Sequence, residues 1–292
     1  MDEIIVGIDI GGSHLTSAIT DLEAGAVVTN TQNRGQVDSH GSADAIIHQW
    51  SETINRTLEG CPRENIRLGI AMPGPFQYKE GISEIRNQNK YDALYGLNVK
   101  ELLAMALNIP VHNIEFLNDA ECFLRGEVFC GSVKNYTRAM GLTLGTGLGT
   151  AWYRDGKAND AALWCYPFRD GIAEDYCSTR WFIKRYHELT GETVRNVREL
   201  AERAERDGTV ARVFHEFADN LASFLAAVAP EHQPQAVVIG GNIAKAFALF
   251  APALTESLVE RGMPIDIHKS QLGEEAALIG AASIWDVKIP LK

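Results

Sequence analysis

The spacing of apolar residues along the chain predicts strands and helices in two successive series. A β-branched strand over 3–10 is followed by the turn Gly11-Gly12-Ser13 and a second strand over 14–22, and together they predict a hairpin. Apolar residues at helical spacing predict a helix over 42–60. A strand pair around a glycine turn returns at 137–157, which we interpret as a weak repeat of architecture.

Further elements complete both series. We predict strands over 25–32, 66–76, 114–119 and 264–271, helices over 98–108, 120–131, 178–191, 197–208, 211–230 and 274–288, and a strand, glycine turn and helix over 235–262. This order predicts an α/β fold of mixed sheets with helices on their faces. We place the domain break near Asn118, giving a smaller lobe of 1–118 plus 276–292 and a larger lobe of 119–275.

Composition and charge narrow the classes of function. The chain has 292 residues, 46% of them hydrophobic, and a formal net charge of −11. An acidic chain does not favour nucleic acid or an anionic membrane as a partner, because both require clustered Lys and Arg. The chain has no apolar run of membrane-spanning length and no signal-like start, and its five Cys are scattered. We therefore expect a cytoplasmic protein with reduced thiols.

Three glycine turns follow apolar strands, at 9–13, 144–149 and 239–242. Glycine permits positive φ and lets backbone N–H groups approach an anion closely, so the turns are candidate phosphate sites. None has the pattern of a P-loop or of a dinucleotide-binding turn. Asp9 beside such amides has two interpretations: it caps its own turn, or it faces a Mg²⁺ ion that the phosphate brings.

A second carboxylate, Asp119, lies where a strand ends and a helix begins. Asn118 or Asp119 would cap this helix well. Alternatively, Asp119 is a base that orients an attacking hydroxyl, since a helix N-terminus favours an ionised carboxylate. Phosphoryl transfer needs such a residue together with phosphate-binding amides and a metal.

Five stretches, in this order and at these separations, resemble the ROK family of repressors, open reading frames and sugar kinases: "GIDIGGSHLTSAITD", "MPGPF", "EFLNDAECFLRGE", "LTLGTGLGTAWYRDGK" and "VVIGGNIA". The resemblance implies the two-lobed actin-like (hexokinase-like) ATPase fold. It implies Asp119 as catalytic base, and Mg²⁺ near Asp9, held through water. The ATP-binding residues it implies are Asp9, Gly11, Gly12, Ser13, Gly145, Thr146, Gly147, Gly241 and Asn242. The sugar-binding residues it implies are Asn118, Gly74 and either Asn87 or Asn89.

One region departs from the family pattern. Relatives carry a Gly-Glu-x-Gly-His stretch and a zinc-binding Cys cluster, whereas this chain has "DAALWCYPFRDGIAEDYCSTRWF". Cys165 and Cys177 are too few for a structural zinc site, so we expect none. The sugar-binding Glu of the first of these motifs is missing, and Ala162 lies near its place. Glu174 matches a later Glu of the family and either contacts the sugar or is an acidic residue before the helix at Ser178.

The leading hypothesis is ATP-dependent phosphorylation of a sugar hydroxyl, O6 of a hexose, in the cleft between the lobes. One alternative is a non-catalytic sugar sensor that acts through a protein partner. The repressors of the family carry an N-terminal helix-turn-helix, which this chain has no room for before its first strand. Another alternative is a kinase that uses a different phosphoryl donor, such as polyphosphate. A homodimer is expected from the resemblance and from the prevalence of twofold dimers.

Overall fold

The computed structural model describes residues 3–286, which form two compact units. The first unit takes 3–130 and 274–286, and the second takes 131–273. The units divide after Cys130, whereas the sequence predicts a break near Asn118, so the helix after Asn118 belongs to the first unit. Residues 287–292 of the predicted C-terminal segment lie outside the described residues.

The helices and strands of the described chain follow the predicted order. In sequence they are β1 (Ile4–Ile10), β2 (His14–Asp21), β3 (Ala26–Val27), β4 (Asn33–Gln36), α1 (Ala43–Thr57), β5 (Ile66–Met72), β6 (Phe76–Gln77), β7 (Ile82–Ser83), α2 (Val99–Leu107), β8 (Ile114–Asn118), α3 (Asp119–Phe129), β9 (Arg138–Leu144), β10 (Leu148–Arg154), β11 (Lys157–Asp160), β12 (Pro167–Phe168), β13 (Gly171–Ile172), α4 (Ala173–Cys177), α5 (Thr179–Thr190), α6 (Val197–Ala201), α7 (Gly208–His232), β14 (Ala236–Gly240), α8 (Phe247–Glu260), β15 (Asp266–Lys269) and α9 (Glu275–Ala282).

The two units share one sheet topology. In the first, β1 pairs antiparallel with β2 and parallel with β5, and β5 pairs parallel with β8. In the second, β9 pairs antiparallel with β10 and parallel with β14, and β14 pairs parallel with β15. The repeat of architecture predicted from the two glycine hairpins is therefore confirmed. In each unit the parallel strands bring their carboxyl ends to one edge of the sheet.

Opposite faces of the first sheet are covered differently. One face packs against α1 and α2, around the fully buried Trp50. The other face receives α9 at two paired glycines, Gly7 and Gly69. A Cβ at Gly7 would lie 2.1 Å from the Leu278 carbonyl oxygen, and one at Gly69 would lie 2.0 Å from that of Ala281. The backbone of α9 thus rests directly on the sheet, which only glycine at these two positions permits.

The core of the second unit is built around the long helix α7, which packs against α5 and α8. Aromatic rings dominate it: Phe182 lies 4.5 Å from Phe217 between ring centroids, and Phe217 lies 5.3 Å from Phe250. All three rings are fully buried. Such close-packed rings make α5, α7 and α8 one rigid support for the second sheet.

The structure differs from the predicted elements mainly at sheet edges and in one helix. The strand predicted over 25–32 shrinks to β3, while the edge strands β4 and β11 were missed, because pairing with a neighbour forms them. The helix predicted over 197–208 ends at Ala201, after which the chain makes tighter turns. Asp207 then caps α7 by accepting a hydrogen bond from the Thr209 N–H at 2.8 Å.

Candidate active site

The carboxyl edge of the first sheet gathers several of the predicted site residues. Asp9 in β1 is in register with Ala71 of β5, and Met72 of β5 is in register with Asn118 of β8. Gly74 follows β5 after Pro73, and Asp119 follows β8 directly. Residues that are far apart in sequence therefore meet at one edge, where ligands bind in open α/β sheets.

Asn118 is the residue that caps α3. Its buried side-chain oxygen accepts hydrogen bonds from the N–H groups of Ala120 at 2.8 Å and Glu121 at 3.2 Å. Its amide nitrogen donates to the Tyr78 hydroxyl at 3.1 Å, which in turn donates to the Met72 carbonyl at 3.1 Å. These contacts leave one amide hydrogen of Asn118 for a ligand.

Asp119 is the first residue of α3, and the residue as a whole is exposed. Its carboxylate accepts a hydrogen bond from the N–H of Ala120 at 2.8 Å and another from its own backbone N–H. Protein atoms packed around its carboxyl group desolvate it and raise its pKa, an effect that these hydrogen bonds and the positive charge of Lys90 partly offset. Because Asn118 provides the cap, Asp119 is free to accept a proton.

Asp9 lies half-buried at the end of β1. Burial, with the negative charge of Asp119 second, raises its pKa to about 7, against the opposing charge of Arg34. Within the described part of the chain its carboxylate accepts no hydrogen bond, so the turn-capping interpretation of Asp9 finds no support. A desolvated carboxylate near a second one fits a divalent cation, which would neutralise both.

The first glycine turn presents unpaired donors to solvent. Gly11 and Gly12 have negative φ, so the conformational freedom expected of these glycines is not what the turn uses. The Gly11 N–H donates to the His14 carbonyl at 2.8 Å, and the Tyr91 hydroxyl donates to the Gly11 carbonyl. The N–H groups of Gly12 and Ser13 have no acceptor among residues 3–286. Two adjacent free amides suit an anion.

In the second unit, the turn after β9 is held from two sides. The Gly145 carbonyl accepts from the Thr179 N–H at 2.8 Å and from the Thr179 hydroxyl at 2.9 Å. Glu174 accepts from the Leu148 N–H at 3.0 Å through one oxygen and pairs with Arg180 through the other. Both carboxylate oxygens of Glu174 are thus engaged within this unit, and its contact is with the turn itself.

Thr146 stands exposed at the tip of that turn, and no other atom comes within 4 Å of a Cβ built on Gly145. The third turn lies beside it, because β14 pairs with β9. Gly241 has a φ of 82°, and a Cβ there would lie 2.4 Å from the Leu144 carbonyl oxygen. Glycine is required at this position both by the positive φ and by the close approach of the Leu144 backbone. Asn242 follows it and is exposed.

The comparisons with known proteins agree with this geometry. The model of the ROK family matches residues 5–160 and 157–288. The chain belongs to the ROK family. An N-acetylgalactosamine kinase of Shewanella sp. (strain ANA-3) is 25% identical over 304 residues, with 94% of each chain covered. A glucokinase of Thermotoga maritima is 25% identical over 328 residues, with 98% of each chain covered.

A solved structure has the same fold. The ROK family glucokinase from Streptomyces griseus, in complex with glucose and AMPPNP, gives a TM-score of 0.76 at 21% identity and covers 96% of this chain and 97% of that chain. The likeness confirms the predicted fold class, an α/β fold of the actin-like ATPase type. The resemblance on which it rested is confirmed as well.

The sugar-side residues predicted for this ROK protein lie on an exposed segment. Asn87 and Asn89 are exposed and adopt φ of 59° and 58°, and neither side chain has a hydrogen-bond partner within residues 3–286. Gly74 faces Tyr78, whose hydroxyl would lie 3.1 Å from a Cβ at that position. Their contact with a sugar stays a prediction.

The cysteines of this ROK protein take different environments. Cys165 is exposed, while Cys177 is fully buried and its burial raises the pKa of the thiol to about 12. Across the described residues no group of three or more His, Cys, Asp or Glu side chains is arranged to hold a metal ion. The expected lack of structural zinc stays a prediction. None of the described helices is long and apolar enough to cross a membrane.

Several residues of the site are not predicted from the sequence. Tyr91 and Tyr78 hold the Gly11 turn and Asn118, and Thr179 holds the Gly145 turn. The Lys90 side chain lies beside Gly12, with its Cδ atom 3.9 Å from a Cβ built there. The local sequence does not indicate these hydrogen bonds, because each of them joins two residues that are 34 to 80 positions apart in the chain.

Proposed function

We propose that this ROK protein is an ATP-dependent sugar kinase of the cytoplasm that phosphorylates a hexose hydroxyl, O6. The observation that carries the proposal is the Asp119 carboxylate at the helix N-terminus, whose charge acts on Asp9, the residue that precedes the turn with free amides at Gly12 and Ser13. The sugar kinases that match nearly the whole chain support it.

Asp119 is the proposed general base. The acceptor hydroxyl donates its proton to this carboxylate as its oxygen attacks the γ-phosphorus, and ADP leaves. A carboxylate with a raised pKa is a stronger base than an ordinary one. A general base typically contributes about 10² to 10⁴-fold to the rate.

The phosphates are assigned to the glycine turns. Amides of Gly12 and Ser13, and of Thr146 and Gly147, would donate to phosphate oxygens, while Gly241 and Asn242 would lie beside the adenosine. Mg²⁺, when bound, supplies positive charge to the phosphates. Asp9 would hold it through water. The remaining amide hydrogen of Asn118, with Gly74 and either Asn87 or Asn89, would contact the sugar.

The test is ADP release with Mg-ATP across a panel of hexoses and N-acetylhexosamines, with polyphosphate as a second donor. Asp119→Asn is expected to lower kcat by about 10² to 10⁴-fold and leave the sugar KM within a few-fold. Asp44→Asn is the matched control, because Asp44 is also an exposed carboxylate in a helix first turn.

Absence of turnover with every sugar, together with a sugar-induced rise in melting temperature, would favour the sensor and overturn the kinase. Retention of activity in Asp119→Asn would remove Asp119 from the role of base. The homodimer expected from the resemblance stays a proposal that sedimentation would check.

A further inference from the structure

The segment that precedes α2 is held firmly against the first glycine turn. Tyr91 is fully buried, its ring packs edge-to-face against Trp50 at 5.3 Å between centroids, and its hydroxyl donates to the Gly11 carbonyl. The Tyr91 N–H donates to the Ser39 carbonyl at 2.7 Å. Asn89 and Tyr91 both adopt φ of 58°, a conformation that the surrounding contacts must sustain. The residue between them is therefore held in a defined position.

That residue is Lys90, whose side chain passes over the glycine turn. Its Cδ atom would lie 3.9 Å from a Cβ built on Gly12, and the residue is half-buried. Its positive charge acts on the Asp119 carboxylate. No carboxylate among residues 3–286 lies within ion-pair distance of it, whereas Lys100 pairs with Glu115 at 3.2 Å. Lys90 is thus a cation without an ion-pair partner in this region of an acidic chain.

We propose that Lys90 is a catalytic cation, whose ammonium group donates hydrogen bonds to the phosphoryl oxygens while the phosphoryl group passes to the acceptor. This role rests on the proposed kinase function. Its basis is position: the side chain lies beside the turn with free amides at Gly12, and its charge acts on the proposed base Asp119. Phosphoryl transfer spreads negative charge over three oxygens, and a fixed cation beside them lowers the barrier.

The proposed step balances without a proton from Lys90. The acceptor O–H bond breaks and its proton moves to Asp119, while the acceptor oxygen bonds to the γ-phosphorus. The bond from that phosphorus to the bridging oxygen breaks, and ADP leaves with the electron pair. Lys90 keeps its proton throughout. Because it lies beyond ion-pair distance, the Asp119 carboxylate stays available for the transferred proton.

Two substitutions and one control test this role in the full-length chain. Lys90→Met removes the charge but keeps most of the aliphatic length, and Lys90→Arg keeps the charge. Lys79→Met is the matched control, since Lys79 is an exposed lysine of the same unit. Steady-state kinetics with Mg-ATP and the best acceptor sugar give kcat and KM, and thermal unfolding checks that each variant is folded.

We expect Lys90→Met to lower kcat by about 10²-fold, the loss typical of one donor to a developing charge, with the sugar KM changed less than about threefold. Lys90→Arg should recover most of the rate, and Lys79→Met should match the wild type. An unchanged kcat, or an effect confined to the sugar KM, would overturn the role. A wild-type chain without sugar-dependent turnover refutes the kinase function and this role together, whereas an active chain indifferent to Lys90→Met refutes only the role of Lys90.

Discussion

The crossing of α3 and α9 gives a stringent test of the structure, because two glycines let the helix backbones touch. A Cβ at Gly280 would lie 1.7 Å from the Cys122 carbonyl oxygen, and one at Gly126 would lie 2.1 Å from that of Ala276. Cβ atoms essentially never approach another heavy atom closer than 3.0 Å. Gly280→Ala must therefore move the helices apart by about 1.3 Å, since a backbone carbonyl cannot rotate away.

Two opposing effects set the change in the free energy of unfolding that Gly280→Ala causes. Overpacking a well-packed core costs about 1–3 kcal/mol, and a clash with backbone belongs at the upper end. Replacing glycine by alanine within a helix returns about 1 kcal/mol through helix propensity. The net expected loss is about 2 kcal/mol in the free energy of unfolding. With a urea slope of about 2 kcal/mol/M, the midpoint of the first unit's transition should fall by about 1 M.

Urea unfolding followed by circular dichroism is the assay, with Gly208→Ala as the matched control. Gly208 opens α7, and no other atom lies within 4 Å of a Cβ built on it. The free energy of unfolding of this control should exceed that of the wild type by no more than about 1 kcal/mol. If Gly280→Ala unfolded as the wild type does, the direct backbone contact between α3 and α9 would be wrong.

The remaining predictions concern pH and the second glycine turn. Burial raises the pKa of Asp9 to about 7 from 3.8. The contribution of Asp9 to the free energy of unfolding is therefore fully present below pH 3.8 and is lost as pH rises through 7. Without metal, Asp9→Asn should therefore have a free energy of unfolding up to about 4 kcal/mol above that of the wild type at pH 8, and almost equal to it at pH 3.5. Thermal unfolding of both proteins at the two pH values measures the difference, and a difference independent of pH would contradict the prediction. Glu174→Gln should weaken the hydrogen bond from the Leu148 N–H by about 1 kcal/mol. Because this bond positions the turn that is proposed to bind phosphate, the KM for ATP should rise several-fold. A rise in the sugar KM alone would instead identify Glu174 as a sugar contact.

Much of the fold follows from local pattern. The β1–β2 hairpin, the helix capped by Ser42 and the strand-to-helix junction at Asn118 each depend on residues within a few positions of one another. Local propensity and apolar period therefore suffice to predict them. The edge strands β4 and β11 could not be predicted in this way, since they exist only by pairing with β2 and β10.

For the candidate site, too, some features follow from the local sequence and others only from the tertiary structure. The sequence by itself determined the residue types at the glycine turns and the presence of carboxylates at Asp9 and Asp119. Only the tertiary structure decided that Asn118 caps α3 and leaves Asp119 free, and that Glu174 engages the turn at Leu148. It also decided the pKa of Asp9, because burial and the charge of a residue 110 positions away set that value. Such effects depend on distance in space, which no local pattern encodes.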